Sequence, residues 1–250
     1  MDEILAKLMA LHRSSARWRH WPRPRSHDGD GPAWPPATLS WGRCVRRIPS
    51  SAAAPVMYLS FDDGPDPEAT PAVLDTLAEQ GCAATFFLVA ERAERAPGLV
   101  SRILDAGHAI GNHSLDHRWN VYFRGPRAML CWIDEAERRL QDLSGRETVG
   151  FRSPAGVRTP ALHWALQKLD IPLVHWDVRS FDRAFAWTES RARRGLAGAR
   201  PGSIVLLHDT HAPPHLDGFL RTLGLFLAAA RRRGFRFAPL DRSLVQQALR

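Results

Sequence analysis

Residues 56–71 read VMYLSFDDGPDPEATP: an apolar run, two adjacent carboxylates at its end, then Gly64 and Pro65. The run Val56 to Phe61, rich in aromatic and aliphatic side chains and stopped by a chain breaker, predicts a buried strand. Consecutive side chains on a strand point to opposite faces, so Asp62 and Asp63 cannot both answer one burial pattern. The pair is either a solvated turn or chemistry.

Working outward, the chain from Pro55 alternates short β-type runs with helical patterns. Strands are expected at Val56 to Phe61, Ala83 to Val89, His108 to Asn112, Thr148 to Arg152, Leu173 to Val178, Ser203 to Leu207 and Arg236 to Pro239. Helices are expected to begin near Pro67, Pro97, Pro126, Pro160, Glu189 and His215, with a closing helix over Ser243 to Leu249; proline is tolerated in a helix's first turn. This alternation predicts an α/β fold with a parallel sheet. The strand count, and the lack of a GxGxxG after any strand, favour a (β/α) barrel of about seven parallel strands over a doubly wound sheet.

The chain has 250 residues, 44% hydrophobic and 24% charged, which suits one large globular domain. Residues 1–54 have a different texture, rich in Arg, Trp, Pro and Gly, and read as an irregular basic arm before a domain at 55–250. The first 55 residues hold nine Lys/Arg against four Asp/Glu, so most of the net charge of +8 belongs to that arm. Arg abundance alone does not imply a nucleic-acid partner, and none is expected.

Residues 3–12 could form a short helix with Ile4, Leu5, Leu8 and Leu11 on one side, and such a face suits weak contact with an anionic membrane surface. Packing against its own domain or disorder is the simpler reading. Three widely spaced cysteines, Cys44, Cys82 and Cys131, read as free thiols or small buried hydrophobes. Asp2, Glu3 and Lys7 interrupt any secretory signal, and no run of about 18 apolar residues exists. A cytoplasmic protein is expected, with a peripheral position at the inner membrane face as the variant in which the arm is used.

In either α/β architecture, ligands bind at the C-terminal ends of the strands. Five of the seven expected strands deliver ionisable groups there: Asp62 and Asp63, His113 and His117, Arg152, Asp177 and Asp182, and His208 and Asp209. His113 and His117 stand at i, i+4, a spacing that puts both imidazoles on one face of a helical turn. With a carboxylate from another strand end they would make an open His2Asp metal site. One aspartate would bind the cation while its neighbour, turned the other way, serves as base toward water.

The segments SFDDGP, HSLDH, FRSPAG, WDVRSFD and LLHD, in this order, resemble the five motifs of the NodB-homology polysaccharide deacetylases, carbohydrate esterase family 4. The resemblance spans about residues 56 to 240 and implies a distorted (β/α) barrel. It implies a hydrolase that removes acetyl groups from an N-acetylated amino sugar or glycan. Asp63, His113 and His117 match the metal ligands, usually for zinc, with cobalt, nickel or manganese as alternatives. Asp62 matches the catalytic base, Arg152 the arginine that holds it, His208 the general acid, and Asp182 the carboxylate that orients and charges His208. Leu206 matches an apolar wall for the acetyl methyl, and a backbone N–H near Ala155 would bind the oxyanion. A lipid-linked glycan or precursor is an expected substrate partner.

Two positions depart from the pattern. Ala155 stands where an aromatic residue is common, and Arg183 follows Asp182 where the family usually has tryptophan; Phe181, Phe185 or Trp187 could supply the lost wall. These departures keep open a second reading, hydrolysis of a non-sugar C–N bond, and a third, a non-catalytic carbohydrate-binding relative. Trp119, Trp132, Trp164 and Trp176 are candidates for stacking on sugar rings, although Trp132 and Trp164 fit helical core positions. His211 and His215 read first as a solvated loop, Asp177 as structural or catalytic, and Asp209 as a group that ties the loop below His208.

Overall fold

The computed structural model describes residues 43–183 and 185–249. Among them six parallel strands form: β1 (Val56–Asp62), β2 (Thr85–Leu88), β3 (Ala109–Asn112), β4 (Val178–Arg179), β5 (Ile204–His208) and β6 (Arg236–Phe237). Their order is β3-β2-β1-β5-β4, and β6 pairs with the start of β1. The helices are α1 (Ala69–Glu79), α2 (Ala90–Arg95), α3 (Pro97–Asp105), α4 (Pro126–Ser144), α5 (Pro160–Leu169), α6 (Glu189–Gly198), α7 (Pro213–Arg232) and α8 (Arg242–Leu249). The short helix α2 had no counterpart in the sequence reading.

Alternation along the strands builds two cores and leaves the site between them and solvent. Met57, Leu59 and Phe61 join the large cluster beneath the helices, together with Phe86, Leu88, Val205 and Leu207. Tyr58, on the other face of β1, packs with Phe87, Val174 and Ile204 in the inner cluster. The register sets Tyr58 beside Ile204, Ser60 beside Leu206 and Asp62 beside His208. The inner face therefore runs from apolar at the base to ionisable at the C-terminal rim.

Two expected strands are reduced to bridges. Phe151 bridges Asn112 on one side and Leu173 on the other, and no longer ladder forms over Thr148 to Arg152. Gly150 has φ of 146°, and a Cβ there would come within 2.6 Å of the Pro172 carbonyl, so this segment needs glycine and cannot keep regular strand geometry. In the expected strand Leu173 to Val178, Leu173 and Val174 make single bridges, and regular pairing returns at Val178.

Residues 43–48, read above as arm, are part of this assembly. Val45 bridges Val174 and Arg47 bridges Ser203. The N–H of Val45 donates to Leu173, that of His175 to Val45, and that of Ile48 to Gly202, at 2.8, 2.7 and 2.9 Å. Val45 and Ile48 are buried in the inner cluster. Pairing thus passes from β3 through Phe151, Leu173, Val174 and this N-terminal strap to the foot of β5. Residues 1–42, with the candidate helix at 3–12, lie outside the described residues. No helix among the described residues is long and apolar enough to cross a membrane. All three cysteines are free.

Helix α4 shows how the helical layer supports the rim. It follows Gly125, starts on Pro126 and ends before Gly145 in the left-handed conformation, a favoured stop. Met129, Trp132, Ile133, Ala136 and Leu140 form its buried face. Glu137 is buried among them, where it accepts hydrogen bonds from the Asn112 amide (2.9 Å) and the Thr148 hydroxyl (2.9 Å). Asn112 in turn accepts from the Ser114 N–H at 2.8 Å, which sets the loop that carries His113 and His117.

Candidate active site

β1 ends at Asp62, whose side chain continues the inner face. Asp63 would point away from it, but its φ of 77° turns the chain into the left-handed region. Three contacts hold that turn. The Arg92 guanidinium donates to the Asp63 carbonyl, the Val89 N–H donates to the Gly64 carbonyl at 2.9 Å, and the Asp209 carboxylate fills the space a side chain at position 64 would need. Only glycine fits there.

Both carboxylates consequently reach one imidazole, which corrects the expectation that they face opposite ways. His113 Nε2 lies 3.3 Å from Asp63 Oδ1 and 3.9 Å from Asp62 Oδ2, and His117 Nε2 lies 3.0 Å from Asp63 Oδ1. His113 Nδ1 is 2.8 Å from the Arg152 carbonyl, which can only accept, so Nδ1 carries a proton and Nε2 is the atom turned to Asp63. A ring oriented in this way can offer Nε2 to a cation shared with that carboxylate. The ligand atoms of Asp63, His113 and His117 all lie within 4.8 Å of one another. Burial raises the Asp63 carboxyl, but its bonds to the two imidazoles outweigh that and hold it well below the ordinary range. A donor set of two imidazoles and a carboxylate fits a divalent metal.

Arg152 has no exposed surface. Its Nη1 donates to Asp62 Oδ1 at 2.8 Å and to Ser60 Oγ at 2.7 Å, and its Nη2 donates to the His175 carbonyl at 3.1 Å. Its guanidinium carbon sits 3.9 Å over the Phe87 ring. Burial pulls the guanidinium pKa down and the Asp62 carboxylate opposes that pull. One oxygen of Asp62 is thereby fixed, and the other is aimed at the histidine cluster.

His208, the register partner of Asp62, is paired with a further carboxylate. Its Nδ1 lies 2.9 Å from Asp182 Oδ1, and its backbone N–H donates to Asp182 Oδ2 at 2.8 Å. Burial alone would lower the imidazole, but the bond to Asp182 and the carboxylates of Asp182, Asp62 and Asp63 raise it above its ordinary value. Burial raises Asp182, and its hydrogen bonds to His208 and His211 reverse this and leave it depressed.

Asp62, Asp63, His113, His117 and Arg152 form one connected group, with the Asp182–His208 pair beside them. Leu206 is buried on the inner face one step below His208, opposite Ser60. Trp176 is partly buried, stacked on His175 and 5.8 Å from the Arg152 guanidinium carbon. Ala155 is exposed at φ 51° in the short turn Pro154–Gly156 that follows Arg152. Asp177 accepts from the Ser203 hydroxyl and the Ile204 N–H, each at 2.9 Å, which ties it to the start of β5. Trp187 packs on Phe219 and Phe226 in the core and cannot wall an acyl pocket. Phe181 and Phe185 are exposed. Trp132 is buried, with its indole N–H on Asp116.

His211 is the residue the sequence reading undervalued. Its ring stacks on Phe219 at 4.0 Å between centroids, with Nε2 3.0 Å from the His208 carbonyl and 3.5 Å from Asp182 Oδ2. Its spacing of three from His208 was visible, but the covering ring comes from α7. Ser60 was missed too, as a small hydroxyl in an apolar run.

The strand-end rim thus combines a metal-type donor set, a carboxylate held by a buried arginine and a histidine paired with a second carboxylate, groups suited to hydrolysis. The family profile described as polysaccharide deacetylase matches residues 50–174. The chitooligosaccharide deacetylase of Sinorhizobium fredii is 33% identical over 201 residues, covering 76% of this chain and 93% of that protein. The peptidoglycan-N-acetylglucosamine deacetylase of Bacillus cereus is 34% identical over 183 residues, 73% of this chain and 66% of that one. Among solved structures, a peptidoglycan N-acetylglucosamine deacetylase bound to 4-naphthalen-1-yl-N-oxidanyl-benzamide superposes with a TM-score of 0.71 at 33% identity, covering 81% of this chain and 92% of its own. A family 4 carbohydrate esterase from Streptomyces lividans in complex with acetate gives 0.68 at 25% identity, covering 76% and 95%. This chain belongs to the polysaccharide deacetylase family, hydrolases of carbon–nitrogen bonds other than peptide bonds.

Proposed function

We propose that this chain removes acetyl from an N-acetylated amino sugar or glycan, with a divalent cation, zinc first, held by Asp63, His113 and His117. An amide is a poor electrophile with a poor leaving group, so its hydrolysis needs carbonyl polarisation, a base for water and an acid for nitrogen. A cation bound to the three ligands would supply the polarisation and ease the ionisation of water.

Asp62 takes the proton from water through Oδ2, while Arg152 and Ser60 fix its carboxylate. His208, kept protonated by Asp182, delivers a proton from Nε2 to the departing nitrogen. The backbone N–H of Ala155 serves the oxyanion, Leu206 borders the acetyl methyl, and Trp176 flanks the sugar. The observation that carries this reading is the pair of adjacent carboxylates at one imidazole, one backed by a buried arginine and the other shared by two histidines.

The test is acetate release from N-acetylated monosaccharides, chito-oligomers and lipid-linked glycans by metal-loaded and chelator-treated protein. Release that disappears on chelation and returns with metal is expected. Full activity in metal-free protein would overturn the cation's role. Silence across the panel would overturn the sugar reading in favour of a non-sugar amide, and glycan binding without release would favour a non-catalytic relative.

A further inference from the structure

The loop after β4 alternates buried and exposed residues. Ser180, Asp182 and Trp187 are buried, while Phe181, Arg183 and Phe185 face solvent, and the Phe185 N–H closes on the Phe181 carbonyl at 3.1 Å. Phe181 holds φ of 58°, unusual for a non-glycine residue, with the Arg179 guanidinium 4.7 Å over its ring. Arg183 leans from this loop across the rim. Its Nη1 donates to the Thr210 carbonyl at 2.8 Å and to the Thr210 hydroxyl, and lies 3.6 Å from Asp63 Oδ2. Its Nε and Nη2 have no partner among the described residues, and the side chain is 48% exposed.

Asp63 is thus addressed from two sides, with Oδ1 toward His113 and His117 and Oδ2 toward Arg183. Two neighbouring carboxylates have their own cations, Asp62 with Arg152 and Asp182 with His208, while Asp209 is buried on the Thr70 hydroxyl. Once Asp63 serves the metal of the reading above, on which this inference rests, Arg183 is a positive charge with no dedicated counter-ion. It is anchored through one nitrogen and presents planar donors at the mouth of the site. Arg179, exposed at the end of β4 just before this loop, adds a second positive charge. A pinned, half-exposed guanidinium is the group of choice for a carboxylate or phosphate oxygen.

We propose that Arg183 selects an anionic substrate: an N-acetylated amino sugar that carries a carboxylate or phosphate close to the acetamido group. Phe181 offers the adjacent ring face against which such a sugar would rest. A neutral N-acetylglucosamine oligomer would leave the Nε and Nη2 of Arg183 to water.

The test compares kcat/KM for three substrates: a neutral N-acetylglucosamine oligomer, an N-acetylhexosamine with a carboxylate-bearing ether at O3, and one with a phosphate at C1. At least one anionic substrate should be preferred by about tenfold or more, as expected for charge-assisted hydrogen bonds, and which arm leads identifies the anion. Arg183→Gln should collapse that ratio, chiefly through KM, and Arg183→Lys should restore part of it. Salt should weaken the preference. Calorimetric binding of the deacetylated products, which needs no turnover, should show the same loss for the anionic product in Arg183→Gln. A wild-type enzyme indifferent to the anion, or a ratio unchanged in Arg183→Gln, overturns the inference while leaving the deacetylase reading intact. No turnover of any of the three overturns both.

Discussion

Asp182 grips His208 twice, through the ring Nδ1 at 2.9 Å and the backbone N–H at 2.8 Å. The same carboxylate therefore sets the ring's charge and its direction. In Asp182→Asn the charge is lost while the shape remains. The His208 pKa, now raised, should fall, so its acidic form is lost at lower pH and the alkaline limb of the kcat profile moves down. A drop on the order of 10²-fold at neutral pH is expected, the low end for general acid catalysis. An unmoved limb would remove Asp182 from this role.

The two adjacent aspartates should separate on substitution. Asp62→Asn should lower turnover by about 10²–10⁴-fold, the usual contribution of a positioned base, with metal content after dialysis unchanged. Asp63→Asn should lose the metal itself. Elemental analysis beside acetate release distinguishes the two, and the reverse pattern would exchange the roles.

Arg152 is enclosed, so its loss is a stability matter as well as a catalytic one. Arg152→Met leaves Asp62 buried without its cation and should cost roughly 3–5 kcal/mol, the range for breaking one side of a buried pair. Urea unfolding measures this. A cost below about 1 kcal/mol would mean that water reaches Asp62.

Asp209 gives the opposite sign from most carboxylates. It is fully buried, accepts from the Thr70 hydroxyl at 2.6 Å, and is pushed up to about 7, first by burial and then by the Asp63 charge. The folded state thus holds this proton more tightly than the unfolded chain, whose aspartates titrate near ~3.9. Its contribution is full below about pH 4 and is lost as pH rises toward 7. Asp209→Asn should therefore gain in melting temperature relative to wild type between pH 5 and 8. A constant difference across that range would refute the assignment.

The strand at Val56, the rim of ionisable groups and the i, i+4 histidines were readable because alternation and short spacing are local properties. The inward turn of Asp63 was not, since its left-handed backbone is held by Arg92, Val89 and Asp209, none of which its neighbours reveal. His211 was read as solvated because its cover, Phe219, lies on α7. The expected strand at Thr148 to Arg152 shrinks to a bridge at Phe151 because Gly150 looks ordinary until Pro172 comes against it. Trp187, one candidate for the acyl wall, belongs instead to a core completed by Phe219 and Phe226.

The strap at Val45–Ile48 has a consequence for the order of assembly. It is among the first parts of the described chain to be synthesised, yet its partners are Leu173, Val174, Gly202 and Ser203. A growing chain therefore waits for most of its length before this seam can be sewn, and until then the inner cluster beneath the active-site rim lacks Val45 and Ile48. The last seam of this sheet to close is made by residues that leave the ribosome well before their partners do.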